Sequence, residues 1–423
     1  MMKTTTRVWN KIWPTGSAAL MAGGTGWVFD VPPSTIVALM IAVAALGLTL
    51  TFSMVQLRRR LSNVANASET EALYATVKLL DSLLADETRR SLEPTLTPWA
   101  YHAAPNSKSV LLLPGADYHL AEIMPIADEL ETMGIPVRVA VGEPHWARTG
   151  LGLRWYERTI YNLPTEEQLE AEIGLVLAMK DWAGYGTIIR AATALGIPTF
   201  SKVEGAQDFL DTDTGENRLP YRHADTALCQ GENDYQALAD HPRVIVGSTR
   251  LERLWRAPHF PPLKPLAAIN LNFTYGVQSS ARKEWLDSAI EGCRMAGLPY
   301  VLAIHPAERP PRAVQPTTTV SISRVLPHCT ALISRFSTVP FEAMARGVGF
   351  VYHNPHGERV PVFQYPQGAF AITTTASELS QGLIKLPNRD STPAVEAFFR
   401  QQVDIQDDPS EVRSARVISS AMI

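Results

Sequence analysis

Short apolar runs recur along most of this chain, each followed by a polar turn and then by a stretch whose apolar residues return every three to four positions. The runs at 109–113, 136–141, 175–178, 198–203, 227–230 and 244–246 predict strands, and the periodic stretches at 121–133 and 185–195, closed by Gly134 and Gly196, predict helices. Strands alternating with helices at this spacing imply a parallel sheet covered on both faces. Pro258, Pro261, Pro262 and Pro265 then crowd into one segment, which reads as a hinge over 258–265. Beyond it the alternation resumes with a strand at 266–271, a helix at 281–296 and a strand at 300–304 that ends in His305 and Pro306. The expected fold class is α/β, with two doubly wound, Rossmann-like domains at 107–257 and 266–423 facing a ligand cleft.

A different pattern precedes them. After an N-terminal segment, 1–35, residues 36–55 carry no charge and are about as long as a helix needs to cross a bilayer. Arg58, Arg59 and Arg60 follow at once, which orients that end toward the cytoplasm. The expectation is a single-pass protein of the cytoplasmic membrane with its soluble domains in the cytoplasm. The alternative is a re-entrant hairpin broken at Pro32 and Pro33, because Lys3, Arg7 and Lys11 lie on the other side. Residues 56–106 predict a stalk helix, with Leu73, Val77, Leu80 and Leu84 on one face, and then a linker; that face is a candidate surface for homo-oligomerisation.

Composition narrows the function classes. The 423 residues are 46% hydrophobic, enough for two cores, and a net charge of −4 provides no field for nucleic acid. Cys229, Cys293 and Cys329 are too scattered for a metal or redox motif. Asp211 and Asp213 lie in a turn-rich loop, so no metal is expected.

Candidate chemistry concentrates between Cys329 and Arg359. A buried strand at 331–333 runs into Ser334, Arg335, Ser337 and Thr338, and Pro340 suits the first turn of a helix. A helix start with hydroxyls and free N–H groups attracts an anion, and Glu342 lies one turn further on, where it reaches a ribose hydroxyl. His353, Asn354, His356, Glu358 and Arg359 then crowd one loop. In the first half His119 follows the first strand as a candidate general base, with a solvated turn residue as the equal alternative.

Laid out in this way, residues 109–386 resemble the GT-B architecture, and in detail the non-hydrolysing UDP-N-acetylglucosamine 2-epimerases and their glycosyltransferase relatives. The resemblance rests on Ser337 to Glu342 followed by Gly349 to Val360, on Asp181 in VLAMKDWAG, on Glu204 in KVEGAQDF and on Glu216 in TGENR. It implies that Ser337 and Thr338 hold a diphosphate, Glu342 the ribose, and Glu358 and Arg359 the sugar side, with Asp181, Glu204 and Glu216 in proton transfer. The pair His305 and Pro306 is similar to that of CDP-glycerol glycerophosphotransferases. One departure stands out: the epimerases' histidine-arginine motif is replaced by residues 270–275, Asn-Leu-Asn-Phe-Thr-Tyr.

That departure, together with the apolar span, makes the leading expectation a membrane-anchored, metal-independent glycosyltransferase. It needs no cofactor and moves a sugar, or else a related glycerol-phosphate-type unit, from a UDP- or CDP-linked donor to a cell-envelope polysaccharide or lipid-linked acceptor. The alternatives are a UDP-N-acetylglucosamine 2-epimerase-like enzyme and a catalytically silent scaffold of the same fold.

Overall fold

In the computed structural model the described residues are 108–422, apart from the segments 116–118, 143–159, 182–183, 206–207, 210–215, 260–261, 263, 274–277, 305–318 and 321. The fully buried apolar run β1 (Ser109–Leu113) pairs in parallel with β2 (Val137–Val141) on one side and β4 (Ile173–Ala178) on the other. With β3 (Ile160–Asn162), β5 (Thr199–Lys202), β6 (Thr226–Cys229) and β7 (Arg243–Ile245) they form a sheet of order β3-β2-β1-β4-β5-β6-β7. The order reverses between β1 and β4, so the crevice for a ligand opens beyond the carboxyl ends of those two strands.

Helices α1 (Leu120–Thr132), α2 (Glu166–Glu172), α3 (Gly184–Ala194) and α4 (Glu232–Ala237) connect the strands. Thr165 starts α2 with a reciprocal pair of hydrogen bonds to Gln168, a capping box. On α1, residues Leu120, Ile123, Met124, Ala127 and Leu130 fall at helical spacing and pack against Val110 and Leu112.

The second lobe repeats the plan. Strands β8 (Ala267–Leu271), β9 (Tyr300–Ile304), β10 (Thr319–Val320), β11 (Ala331–Ser334), β12 (Gly349–His353) and β13 (Ala371–Thr373) form a parallel sheet of order β10-β9-β8-β11-β12-β13. Its reversal lies between β8 and β11.

Helix α5 (Thr249–Arg256) crosses from one lobe to the other. Its start is clamped by Glu122 of α1, whose carboxylate accepts from the Ser248 hydroxyl and from the Thr249 and Arg250 backbone N–H groups. Burial pushes the Glu122 carboxyl up, but the Lys202 charge and the Arg250 contacts outweigh it and hold it below the ordinary glutamate range. The fully buried Lys202 donates to Gly247 O at 2.7 Å and lies 3.2 Å from Glu122. Gly247 has φ +79°, and a Cβ there would meet Asp404 O at 2.7 Å, so only glycine fits.

After α6 (Arg282–Met295), α7 (Ile322–Val325), α8 (Val339–Ala345), α9 (Pro361–Gln364), α10 (Ala376–Ile384) and α11 (Pro393–Gln402), the last helix, α12 (Ser410–Ser420), returns to the first lobe. There Ala415 and Ile418 join the core around α1.

The doubly wound lobes match the expected fold class, whereas the membrane part of it requires correction. Among the described residues no helix is long and apolar enough to cross a membrane. The segment 1–35, the span expected over 36–55 and the stalk and linker over 56–106 lie outside the described residues. Membrane attachment, single-pass topology and oligomerisation through a stalk therefore have no support in the described residues.

Candidate functional site

Four groups converge beyond the carboxyl ends of the first sheet. His119 follows β1 and is buried; its Nδ1 accepts from the Gly115 N–H at 2.8 Å. A ring nitrogen that accepts carries no proton, so the ring proton lies on Nε2, which sits 2.7 Å from Glu204 Oε2. Glu204 follows β5, and its side chain is 19% exposed. Its backbone N–H donates to the Tyr221 hydroxyl at 2.9 Å, and that hydroxyl donates to Asp208 Oδ2 at 2.6 Å. Burial of its carboxyl group and then the Glu204 charge push Asp208 up to about 7, against the opposing pull of the Tyr221 hydrogen bond and of Arg218. Gln230, at the end of β6, closes the group by donating to the Val203 and Glu204 carbonyls.

Asp181, which follows β4, has a different place. It is buried, Oδ1 accepts from the Tyr221 N–H and Oδ2 from the His223 N–H, so its carboxylate holds the loop that carries Tyr221. Glu216 is exposed, at the end of a segment outside the described residues. His305 lies outside the described residues as well.

In the second lobe the expected donor-binding side chains turn mostly toward one another. Ser334 Oγ accepts from Asn270 Nδ2, and Ser337 Oγ accepts from the Val339 N–H at the start of α8. Thr338 is half-buried beside it. The guanidinium of Arg335 is fully buried between the rings of Phe273 and Phe336, with Nε 2.9 Å from Glu358 Oε2 and Nη1 donating to Asn272 O. Glu358 also accepts from the Phe336 N–H, with His356 Nε2 at 3.2 Å. Burial raises the Glu358 carboxyl, but His356 and Arg335 outweigh it and keep it below the ordinary range.

Asn354 ties the loop together by exchanging two hydrogen bonds with the Glu358 backbone. His353 is bracketed by Thr373 and Ser288, and burial pushes its imidazole down to about 4. Glu342, in the first turn of α8, is met by Arg250 Nη1 at 2.6 Å.

Arg359 is exposed and faces a cavity of about 540 Å³ between the lobes. Phe209 and Asn217 line it from the first lobe, Val360, Pro361 and Tyr365 from the second, and Gln402 from α11. A volume of this size is in the range that takes a substrate-sized molecule. Phe209 is next in the chain to Asp208, but His119, Glu204 and Asp208 are not themselves among the residues that line this cavity.

Solved structures with this arrangement of lobes include two from sugar-nucleotide enzymes. The UDP-GlcNAc 2-epimerase from Neisseria meningitidis, bound to UDP-GlcNAc, superposes with a TM-score of 0.53 at 11% identity, over 74% of this chain and 99% of that one. The Methanocaldococcus jannaschii UDP-GlcNAc 2-epimerase, in complex with UDP-GlcNAc and UDP, gives a TM-score of 0.51 at 12% identity over the same shares. The fold is GT-B. No family model matches the chain, and the search of curated proteins finds no match.

The leading expectation from sequence, a membrane-anchored GT-B transferase with an envelope acceptor, is corrected in its anchor: no described helix is long and apolar enough to span a bilayer, and nothing else in the described residues ties the lobes to a membrane acceptor.

The sequence pattern singled out His119 and Glu204, which lie side by side in the structure, and did not single out Asp208, Arg218 and Tyr221, which lie beside them. Asp208 stands four residues after Glu204 in a loop with no apolar period, and its hydroxyl partner is thirteen residues further along. The one available signal was the density of acids around Glu204.

Proposed function

We propose that the protein is an epimerase-like enzyme of nucleotide sugars that inverts the ring carbon next to the anomeric centre. In this reading Glu204, oriented by the Nε2 proton of His119, takes the proton from that carbon. The electron pair of the broken C–H bond forms a ring double bond as the anomeric C–O bond breaks and the nucleoside diphosphate leaves. Re-addition of the diphosphate, with a proton delivered from the other face, gives the inverted sugar. Asp208, pushed up to about 7, carries a proton for a substantial part of the time at neutral pH and is the acid of the pair. Arg359 at the cavity wall, with Thr338 and the backbone at the start of α8, is proposed to meet the diphosphate.

The observation that carries the reading is that one tyrosine hydroxyl ties the Asp208 carboxyl to the backbone of Glu204, which sets two interacting acids side by side at the ligand edge of a GT-B lobe. Such a pair serves a reaction in which one group takes a proton and another gives one. Incubating the protein with UDP- and CDP-linked sugars, without any acceptor, and following the ring protons by NMR tests it. Appearance of the inverted nucleotide sugar is the expected result; sugars that remain unchanged, with no detectable binding by calorimetry, defeat the proposal.

A further inference from the structure

Tyr221 combines two properties that seldom occur together: it is fully buried, and its backbone is left-handed, with φ 59°. Leu219, two residues earlier, has φ 49°. A bulky aromatic residue in that region is strained and persists only where its surroundings hold it. The holding group is the carboxylate of Asp181, which accepts from Tyr221 N at 2.9 Å, His223 N at 2.6 Å and Ala224 N at 3.4 Å. The strained turn directs the phenol into the Glu204–Asp208 group, where it donates to one carboxylate and accepts from the backbone of the other acid.

We propose that Tyr221 is a positioning residue, clamped in its strained conformation by Asp181 so that its hydroxyl fixes Asp208 beside Glu204 for proton transfer. The role rests on the proton-transfer reading, yet the coupling of Tyr221 to Asp208 is measurable without turnover. The groups that face Asp208 are Glu204 after β5, Arg218 and Tyr221 on the following loop, and Asp234 of α4. Of these, Glu204 and Asp234 favour the protonated acid, whereas Arg218 and the Tyr221 hydroxyl favour the carboxylate. Removing the hydroxyl therefore raises the midpoint of Asp208. A stronger donor at the same place lowers it.

The test is a carboxyl-carbon NMR titration of the full chain labelled at aspartate, with the Asp208 signal assigned by its absence in Asp208→Asn. Tyr221→Phe is expected to move that midpoint upward by about one pH unit, the scale of a hydrogen bond to the charged form. Site-specific replacement of Tyr221 by 3,5-difluorotyrosine, which keeps ring and hydroxyl, is expected to move it downward and covers the case in which the phenylalanine variant does not fold. Inversion of a nucleotide sugar should lose at least tenfold in kcat with Tyr221→Phe at unchanged KM, and the acid limb of its pH profile should follow the midpoint. An Asp208 midpoint unmoved by the tyrosine changes overturns the proposal. If the midpoint moves as expected and no nucleotide sugar is inverted, the coupling stands and the functional reading alone falls.

Discussion

The two lobes place acidic residues at equivalent positions beyond their strand ends, and the acids do opposite things. In the first lobe Glu204 keeps part of its side chain exposed, shares one edge with His119, and sits beside an aspartate that titrates near neutrality. In the second lobe Glu358 is fully buried, and Arg335, His356 and the Phe336 N–H close around it. The first arrangement can change its protonation during a reaction. The second is a brace that fixes the loops after β8, β11 and β12 to one another.

Glu358→Ala leaves the Arg335 guanidinium buried without its carboxylate, and removing one partner of a buried pair costs about 3–5 kcal/mol. Thermal unfolding should show it as the largest stability loss of any single substitution discussed here, and an unchanged Tm would mean that the second lobe does not depend on this brace. Glu204→Gln should do the reverse. Inversion of the nucleotide sugar is expected to drop by roughly 10²–10⁴-fold, the usual range for losing a general base, while the unfolding midpoint stays close to that of the parent.

Acid has opposite effects on the two regions. His353 is pushed down to about 4, so its neutral form favours the folded state above the ordinary histidine value, and that stability is lost as pH falls from about 6.5 through 4. Asp208 and Asp234 are each pushed up to about 7, so their contribution is complete at acidic pH and is lost as pH rises from about 3.8 through 7. Denaturant titrations should therefore show His353→Gln flattening the acidic side of the stability curve and Asp234→Asn flattening the neutral side. A parallel curve for either variant contradicts the corresponding assignment. The smallest effect is expected at the exposed Glu216, where glutamine should change stability by under about 1 kcal/mol.

Much of this was legible in the chain itself, and the misses have physical causes. Apolar runs such as Val110–Leu113 and Leu332–Ile333 can only be buried strands at that spacing, so the doubly wound plan followed from pattern alone. His119 and Glu204 stood out because each lies in the turn after such a strand. Arg335, His353 and Glu358 were expected to contact a ligand for the same reason, and their burial against one another or against Thr373 and Ser288 was not legible, since polar density after a strand is identical whether the side chains face a cleft or one another. Burial decides between these cases, and burial is not written in residue type. Tyr221 was out of reach on other grounds: nothing in Leu-Pro-Tyr announces a left-handed backbone, and the Asp181 carboxylate that sustains it lies forty residues earlier.

The central claim is that the Glu204–Asp208 group moves a proton at a sugar carbon. Its most direct test is the incorporation of solvent deuterium into a nucleotide sugar incubated with the protein in D2O. The account predicts deuterium at the ring carbon next to the anomeric centre with the parent protein and almost none with Glu204→Gln; a bound nucleotide sugar that keeps its proton in both cases would contradict it.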